Sequence, residues 1–289
     1  MIDTHLTRMF GLLHPMVLAP LNPASDWRMA AAVSEAGGLG LIHVGEQGYS
    51  ALQECYLRTG EDAVGWGVDI QRMEREPKVL DQLLGYRPRA ILLYGGDPAP
   101  FVEKTQAKNV PVISVVESID FARKAIAAGV EILAAHGNGS AGSGSGTRTT
   151  MALLPEVADA IYASHTDTLL LCSGGIADAR NIAAALIMGA DGVMMGTRFW
   201  ASQETPLTKD QVNALMAFSG DDVPVLSESE ENNQGTARGW RGIDLADASQ
   251  PVGEGVGLIH SAPSVDVILK SLSHKASRLM THIQRKVVE

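Results

Sequence analysis

Short apolar runs alternate with amphipathic segments along most of this chain. Eight runs predict strands: 16–21 (MVLAPL), 39–44 (LGLIHV), 64–70 (VGWGVDI), 90–94 (AILLY), 111–116 (PVISVV), 131–136 (EILAAH), 168–173 (TLLLCS) and 192–197 (GVMMGT). Most are continuous rather than alternating, which is typical of parallel strands that helices cover on the outside. Three stretches between them have helical spacing and end at glycine: 25–36, 118–128 and 178–188. The last two begin with capping residues, Ser118 and Asp178.

This regular alternation predicts a parallel sheet, and eight strand–helix units favour a closed (β/α)8 TIM barrel. An open, doubly wound sheet is the alternative. The chain has 289 residues, and such a barrel takes about 250, so we expect one domain. Residues 1–204 would hold the strands and helices through strand eight. Residues 205–289 would add the last barrel helix and a lid-like C-terminal extension, whose segment 264–285 has helical spacing and a basic face.

Composition narrows the class of protein. The formal net charge is -10, which argues against nucleic acid as a partner, because sequence-independent binding needs a cationic face. Cys55 and Cys172 are too few for a disulfide framework, and no CxxC metal pattern occurs. The first residues lack the pattern of a secretory signal, and no apolar run has the length to cross a membrane. We therefore expect a cytoplasmic protein with a small-molecule substrate and no membrane partner; its oligomeric state stays open, with a homo-oligomer among the alternatives.

Two glycine motifs end consecutive predicted strands. Gly174 and Gly175 follow the seventh strand, and Gly196 with Thr197 ends the eighth. In a barrel these loops lie side by side, where a phosphate is commonly held by backbone N–H groups and a helix N-terminus. Glycine lets the backbone approach the anion closely, and the Thr197 hydroxyl can add a donor. The alternative is that these are turn glycines with only a geometric role.

Residues 172–204 (CSGGIADARNIAAALIMGADGVMMGTRFWASQE) resemble the signature of the nitronate monooxygenase family, also called 2-nitropropane dioxygenase-like proteins. The stretch 14–42 (HPMVLAPLNPASDWRMAAAVSEAGGLGLI) and the segment 151–161 (MALLPEVADAI) resemble the same family. The resemblance covers most of residues 14–204. Flavin-dependent enoyl-ACP reductases and some NAD(P)H:quinone reductases share this scaffold and these motifs.

The resemblance implies FMN as the cofactor. It implies that three residues lie along the isoalloxazine ring: Ala19, Pro20 and Leu21. It implies that four hold the phosphate: Gly174, Gly175, Gly196 and Thr197. Asp69 takes the place of an asparagine that the family usually has at the end of strand three; the alternative is a strand-end carboxylate that caps a neighbouring loop.

The chain departs from the family after strand six, where residues 136–148 read HGNGSAGSGSGTR. Gly137 matches a glycine of the family pattern. Alignment on it puts His136 at a family glutamine, Gly142 at a family glycine, and Ser143 at the position of the catalytic histidine. An unactivated serine is a poor base, so proton abstraction from a neutral nitroalkane is in doubt, whereas an already ionised nitronate needs less of a base. His136 could exchange protons near neutrality or only hydrogen-bond the flavin, and Arg148 could reach an anion or simply be solvated.

These features predict an FMN-dependent oxidoreductase that resembles nitronate monooxygenases and oxidises alkyl nitronates with oxygen. The first alternative is a reductase of quinones or enoyl thioesters with NAD(P)H as the electron donor. The second is a flavin-binding protein whose catalytic loop has degenerated. A phosphate-binding barrel without flavin is weaker, because no strand-end lysine or well-placed carboxylate pair is present.

Overall fold

The fold is seen in a computed structural model that describes residues 2–20, 26–44, 53–54, 56–58, 60, 64–140, 148–223, 225–227, 239–245 and 248–286. The eight barrel strands are β1 (Met16–Leu18), β2 (Gly40–His43), β3 (Val64–Asp69), β4 (Ile91–Tyr94), β5 (Val112–Val116), β6 (Ile132–His136), β7 (Leu169–Ser173) and β8 (Gly192–Met195). Each lies within a predicted apolar run, and most are shorter than the run by one to three residues.

The eight strands form one parallel sheet that closes into a barrel. Each strand pairs with its neighbours in chain order, and β1 pairs with β8. Hydrogen bonds between β1 and the start of β2 complete the ring: the Leu39 N–H donates to the Met16 oxygen (3.0 Å), and the Leu18 N–H donates to the Leu39 oxygen (2.9 Å). The (β/α)8 barrel is thereby confirmed, and the open sheet is excluded.

Helices cover the outside of the barrel. They are α1 (His5–Phe10), α2 (Trp27–Glu35), α3 (Ile70–Arg75), α4 (Lys78–Gly85), α5 (Ala99–Gln106), α6 (Ile119–Ala127), α7 (Thr150–Ser164), α8 (Ala179–Ile187), α9 (Thr197–Trp200), α10 (Lys209–Ala217) and α11 (Val265–Lys286). Polar side chains begin several of them as the sequence predicts, with Ser118 capping α6 and Asp178 capping α8. The predicted terminal helix is α11, which packs mainly on α8.

The core has two layers because successive strand residues point to opposite sides of the sheet. On β1, Val17 points into the barrel, whereas Met16 and Leu18 point toward the helices. The barrel interior is filled by branched and small side chains, and α1 contributes Leu6 and Phe10 to that interior cluster. The described barrel interior is therefore a packed core, so a ligand of the barrel itself would lie at the strand ends.

The segment after β8 contains structure that the sequence does not predict. A three-stranded antiparallel sheet is made of β9 (Val225–Ser227), β10 (Gly239–Leu245) and β11 (Ala248–Pro251). The segment then returns to the barrel, where the Gly253 N–H donates to the Thr197 Oγ1 (3.0 Å). The extension thus contacts one of the two glycine motifs.

Candidate active site

A small cavity lies at the carboxyl ends of β6, β7, β8 and β1. Its volume is about 40 Å³, and since one water needs about 10–15 Å³, it admits a group of roughly phosphate size rather than a ring system. The described residues that line it are Ala19, His136, Ser140, Ser173, Gly174, Gly175, Ile176, Met194, Met195, Gly196, Thr197, Gly253 and Gly255. Both predicted glycine motifs therefore border the same cavity.

The turn after β7 requires glycine. Gly174 has φ of +102° and Gly175 has φ of +74°, values that residues with a Cβ rarely adopt. A Cβ on Gly174 would lie 2.9 Å from the Gly137 oxygen and 3.0 Å from the Thr150 Oγ1. A Cβ on Gly175 would meet no atom of the described residues within 4 Å, its chain neighbours aside. Close packing of the backbone thus explains the first glycine, whereas the second faces open space.

Several backbone donors in these two turns are unused. Within the part of the chain that the structure describes, the N–H groups of Gly174, Gly175, Ile176 and Gly196 donate no hydrogen bond. An N–H group away from water needs a partner, and all four residues line the cavity. The Thr197 hydroxyl accepts from Gly253 and keeps its own proton to donate. Together these groups can bind an oxyanion.

The start of α8 contributes little to this anion site. The N–H groups of Arg180 and Asn181 already donate to the Asp178 carboxylate, at 2.8 and 3.2 Å. The Asn181 Oδ1 in turn accepts from the N–H groups of Ala177 and Asp178. The expected share of a helix N-terminus is therefore taken by side-chain caps, and the free donors belong to the loops.

His136 lies beside the anion site at the end of β6. Its Nδ1 is 3.0 Å from the Ser173 Oγ, and its Nε2 is 2.6 Å from the Ser140 Oγ. Burial lowers the pKa of His136 to about 4, so the ring is neutral at pH 7. A neutral imidazole donates from one nitrogen and accepts at the other, which matches its two serine partners. As a base it is weak near neutrality.

Ser140 is a site residue that sequence reasoning missed. The alignment on Gly137 points to Ser143 as the serine of interest, but Ser143, Gly142 and Leu21 lie outside the described residues. Ser140 is buried and shares the cavity with His136. The sequence signal for Ser140 is its position four residues after a strand-end histidine, and Ser143 and Ser145 in the same Gly/Ser-rich loop lie at similar positions.

The structure places the other predicted residues as follows. Ala19 lines the cavity. Pro20 packs against β3, since a Cβ on Gly67 would lie 2.4 Å from its ring. Asp69 caps α3, where its carboxylate accepts from the Gln71 N–H at 2.7 Å. Asp69 therefore makes a cap, as the alternative describes, and its contact with the flavin stays a prediction.

A second polar group stands at the barrel mouth, at the ends of β2 and β4. The Tyr94 Oη lies 3.3 Å from the His43 Nδ1, and the two rings are stacked with centroids 6.4 Å apart. Burial raises the pKa of Tyr94 and, with help from nearby Arg72, lowers the pKa of His43. Both side chains are thus neutral at pH 7 and present hydrogen-bonding atoms near the mouth. Tyr94 was not predicted from the sequence.

Arg148 is committed elsewhere. Its guanidinium pairs with Glu156 on α7 at the surface, which agrees with the solvated alternative. Among the described residues, no group of three or more metal-ligating side chains comes together, and no described helix is long and apolar enough to span a bilayer.

Comparison with known proteins identifies the family. The family model described as nitronate monooxygenase matches residues 63–240. The nitronate monooxygenase npaC of Metarhizium robertsii is 31% identical over 252 residues, covering 78% of this chain and 70% of that protein. This chain belongs to the nitronate monooxygenase family. Membership confirms the resemblance drawn from residues 14–204.

Other members and neighbours differ in their named activities. An octahydro-indene-carboxyl-CoA dehydrogenase from Rhodococcus jostii is 29% identical over 226 residues. The alignment covers 78% of this chain and 62% of that protein. The chain thus spans less than two thirds of that curated relative. The solved structure of FabK from Thermotoga maritima superposes with a TM-score of 0.85 at 24% identity, covering 99% of this chain and 100% of that one, which shows a shared fold.

The residues present in this nitronate monooxygenase family member fit a flavin phosphate. Two glycine turns leave unpaired N–H donors around a cavity of phosphate size. A side chain at Gly175 would enter the open space that the ligand needs. The fit concerns the anionic end of the cofactor, because the cavity bordered by described residues is too small for the rings.

Proposed function

We propose that the chain binds FMN and oxidises alkyl nitronates with oxygen. One arrangement carries the proposal: the turns after β7 and β8 border one anion-sized cavity at the barrel mouth, and their N–H groups at Gly174, Gly175, Ile176 and Gly196 have no partner among the described residues. A phosphate held there would anchor the cofactor at the strand ends, where catalytic groups of barrel enzymes project. Gly174, Gly175, Gly196 and Thr197 would hold that phosphate.

Bound FMN would supply the redox chemistry by taking two electrons from the substrate and passing them to oxygen. The protein would supply binding, orientation and exclusion of water. We propose that Ala19, with Pro20 and Leu21, follows the edge of the rings, as the family resemblance implies.

His136 would act as a hydrogen-bonding group rather than as a base. Burial lowers the pKa of His136 to about 4, so near pH 7 its neutral ring has little tendency to take a proton from carbon. The ring lies between the Ser140 and Ser173 hydroxyls, which orient it. This environment favours a substrate that arrives already ionised, which is the property that separates a nitronate from its parent nitroalkane.

The test uses the full-length, FMN-loaded protein under anaerobic conditions. We expect an alkyl nitronate to bleach the flavin absorbance rapidly and the neutral nitroalkane to bleach it far more slowly. Readmitted oxygen should restore the colour. The variant His136→Gln should keep nitronate turnover within a few fold, because glutamine also hydrogen-bonds, whereas loss of a general base would cost about 10²–10⁴-fold. Rapid bleaching by the neutral nitroalkane, or a loss of that size, would contradict the proposal.

The second candidate is a reductase that takes electrons from NAD(P)H and acts on a thioester. It is favoured by the relative from Rhodococcus jostii, whose name gives a CoA ester as the compound that it dehydrogenates. In the same anaerobic assay, fast bleaching by NADH or NADPH with no response to nitronate would select this candidate. A colourless protein that ignores added FMN would overturn both.

A further inference from the structure

A second, larger groove lies on the outer side of the two glycine loops, between the start of α8, residues 258–263 and α11. Its volume is about 770 Å³, within the range of about 300–1,000 Å³ of small-molecule sites. Ala177 and Arg198 line this groove, whereas their neighbours Ile176 and Thr197 line the anion cavity. The two spaces thus lie on opposite sides of the same loops.

The groove holds a buried cation without a counter-charge. Arg198 is only 6% exposed, and among the described residues its side chain makes one hydrogen bond, from Nη2 to the Ser261 carbonyl oxygen at 2.9 Å. No carboxylate of the described residues lies within ion-pair distance of it. An unpaired buried charge is costly, and burial lowers the pKa of Arg198 to about 10. Such a group is stabilised when an anion binds beside it.

Two further cations of the groove also lack a described carboxylate partner. Lys275 and Arg278 project from α11 along its wall and, in the described part of the chain, pair with no carboxylate. The one acidic lining residue, Asp178, is already bound to Arg180 and to the start of α8. A chain with a formal net charge of -10 therefore has a groove in which three cations pair with no described carboxylate.

The remaining lining combines polar residues with a larger apolar surface. The polar residues are His260, Ser261, Ser271 and His282, and the apolar ones include Leu258, Pro263, Val267, Ile268, Leu272 and Leu279. A free inorganic ion would use the cations and leave this surface in water. The combination suits a ligand that has both an anionic group and an apolar or aromatic body.

We propose that this groove binds an organic phosphate, the phosphorylated nucleotide of a CoA thioester or of a dinucleotide donor. The phosphate would lie against Arg198, Lys275 and Arg278, and the body would cover the leucines of α11. The proposal goes beyond the proposed nitronate reaction, which uses neither a thioester nor a dinucleotide, and it is tested by binding alone.

The test is calorimetric titration of the full-length, FMN-loaded protein with ADP, coenzyme A and NADPH, with inorganic phosphate as the reference. We expect at least one organic phosphate to bind more tightly than inorganic phosphate. The double variant Lys275→Gln, Arg278→Gln should weaken that binding about fivefold to thirtyfold, since each exposed charge contact is worth up to about 1 kcal/mol. Lys270→Gln is the matched control, because Lys270 lies on α11 but pairs with Asp266 outside the groove.

Arg198→Met should weaken binding more, by about tenfold to a hundredfold, because hydrogen bonds to charged groups are worth about 1.5–3 kcal/mol. If this buried variant does not fold, Arg198→Lys keeps the charge and loses the planar fork, and it should also bind more weakly than the wild type. Thermal melts and FMN content, measured on every variant, separate a loss at the groove from a loss of fold or of flavin.

The pairs of probes distinguish the source of the phosphate. If coenzyme A binds more tightly than its 3′-dephospho form, the groove recognises the nucleotide of a CoA thioester. If NADPH binds more tightly than NADH, the groove recognises a phosphorylated dinucleotide. The proposal is wrong if no organic phosphate binds more tightly than inorganic phosphate, or if Lys270→Gln weakens binding as much as the double variant. It is also wrong if the groove variants instead dissociate a dimer, which would make this face an interface between two copies. FMN binding and nitronate turnover are read separately, so failure here leaves the proposed function standing.

Discussion

Substitution of Gly175 by alanine tests the anion site most directly. Gly175 has φ of +74°, and the new Cβ would meet no atom of the described residues within 4 Å, its chain neighbours aside. The protein therefore has to bear only the backbone strain, about 1–2 kcal/mol for an L-residue in the left-handed region. That strain corresponds to a fall in Tm of about 2–8 °C for a domain of this size.

The effect on FMN should be larger than the effect on the fold. The methyl group would occupy the side of the turn that faces open space, where the phosphate would lie. Loss of one charge-assisted hydrogen bond from a Gly175 or Ile176 N–H costs about 1.5–3 kcal/mol. We expect the Kd for FMN to rise about tenfold to a hundredfold, measured by quenching of flavin fluorescence on titration of apoprotein.

Gly129→Ala is the matched control. Gly129 follows α6 with φ of +82°, and its Cβ would make an ordinary contact of 3.7 Å with the Gln106 Nε2. It precedes β6 and thus lies at the opposite end of the barrel from the cavity. The strain should lower its Tm by a similar amount while FMN affinity stays the same. An alanine at Gly175 that binds FMN as tightly as the wild type, or equal loss of affinity in both variants, would refute the assignment of the phosphate to this turn.

Three further predictions follow from the same cavity. The pKa of His136 is lowered to about 4 from 6.5. As the pH falls from about 6.5 to 4, this histidine is therefore protonated in the unfolded chain but stays neutral in the folded chain. The free energy of unfolding should drop by up to about 3 kcal/mol between about pH 6.5 and pH 4. Chemical denaturation at several pH values should show a smaller drop for His136→Gln than for the wild type. Equal pH dependence of the two proteins would contradict a neutral His136 ring in the folded state. Thr197→Val removes the acceptor of the Gly253 N–H and the free hydroxyl proton, so FMN affinity should fall about tenfold. Thr197→Ser keeps the hydroxyl and should bind FMN nearly as the wild type does. Identical titration curves for the two variants would show that the Thr197 hydroxyl does not contact the cofactor. Ser140→Ala should lower the free energy of unfolding by about 1 kcal/mol through its lost hydrogen bond, seen in thermal melts, and an unchanged Tm would show that the 2.6 Å contact with His136 contributes nothing to stability.

Elements whose features are local could be predicted from the sequence. The eight apolar runs become strands because continuous hydrophobicity fits a sheet that is covered on both faces. The helix caps at Ser118 and Asp178 act where the sequence puts them, because a cap is a hydrogen bond between residues two or three apart. The Gly174-Gly175 turn could be identified for the same reason, since only glycine adopts its φ values readily.

Features that depend on distant residues escaped prediction. The partnership of His136 with Ser140 crosses a Gly/Ser-rich loop in which several serines look equivalent, and only the folded backbone selects one. The antiparallel strands β9 to β11 come from a polar stretch without alternation, so their pairing is defined by backbone contacts rather than by a hydrophobic pattern. The sequence is compatible with Asp69 as a flavin contact or as a cap; the structure shows its capping hydrogen bond at the start of α3, and the flavin contact stays a prediction.

The sequence by itself determined the class of fold and the positions of the two glycine turns, because hydrophobic periodicity and the dihedral preferences of glycine are properties of individual residues. Tertiary structure alone decided that the donors of those turns are unpaired, that the first turn of α8 is already satisfied, and that Arg198 is buried beside Ser261 without a described carboxylate. Each of those properties depends on which partner atoms lie within hydrogen-bond or ion-pair distance of a given group. They arise only when segments far apart in the chain are brought into contact.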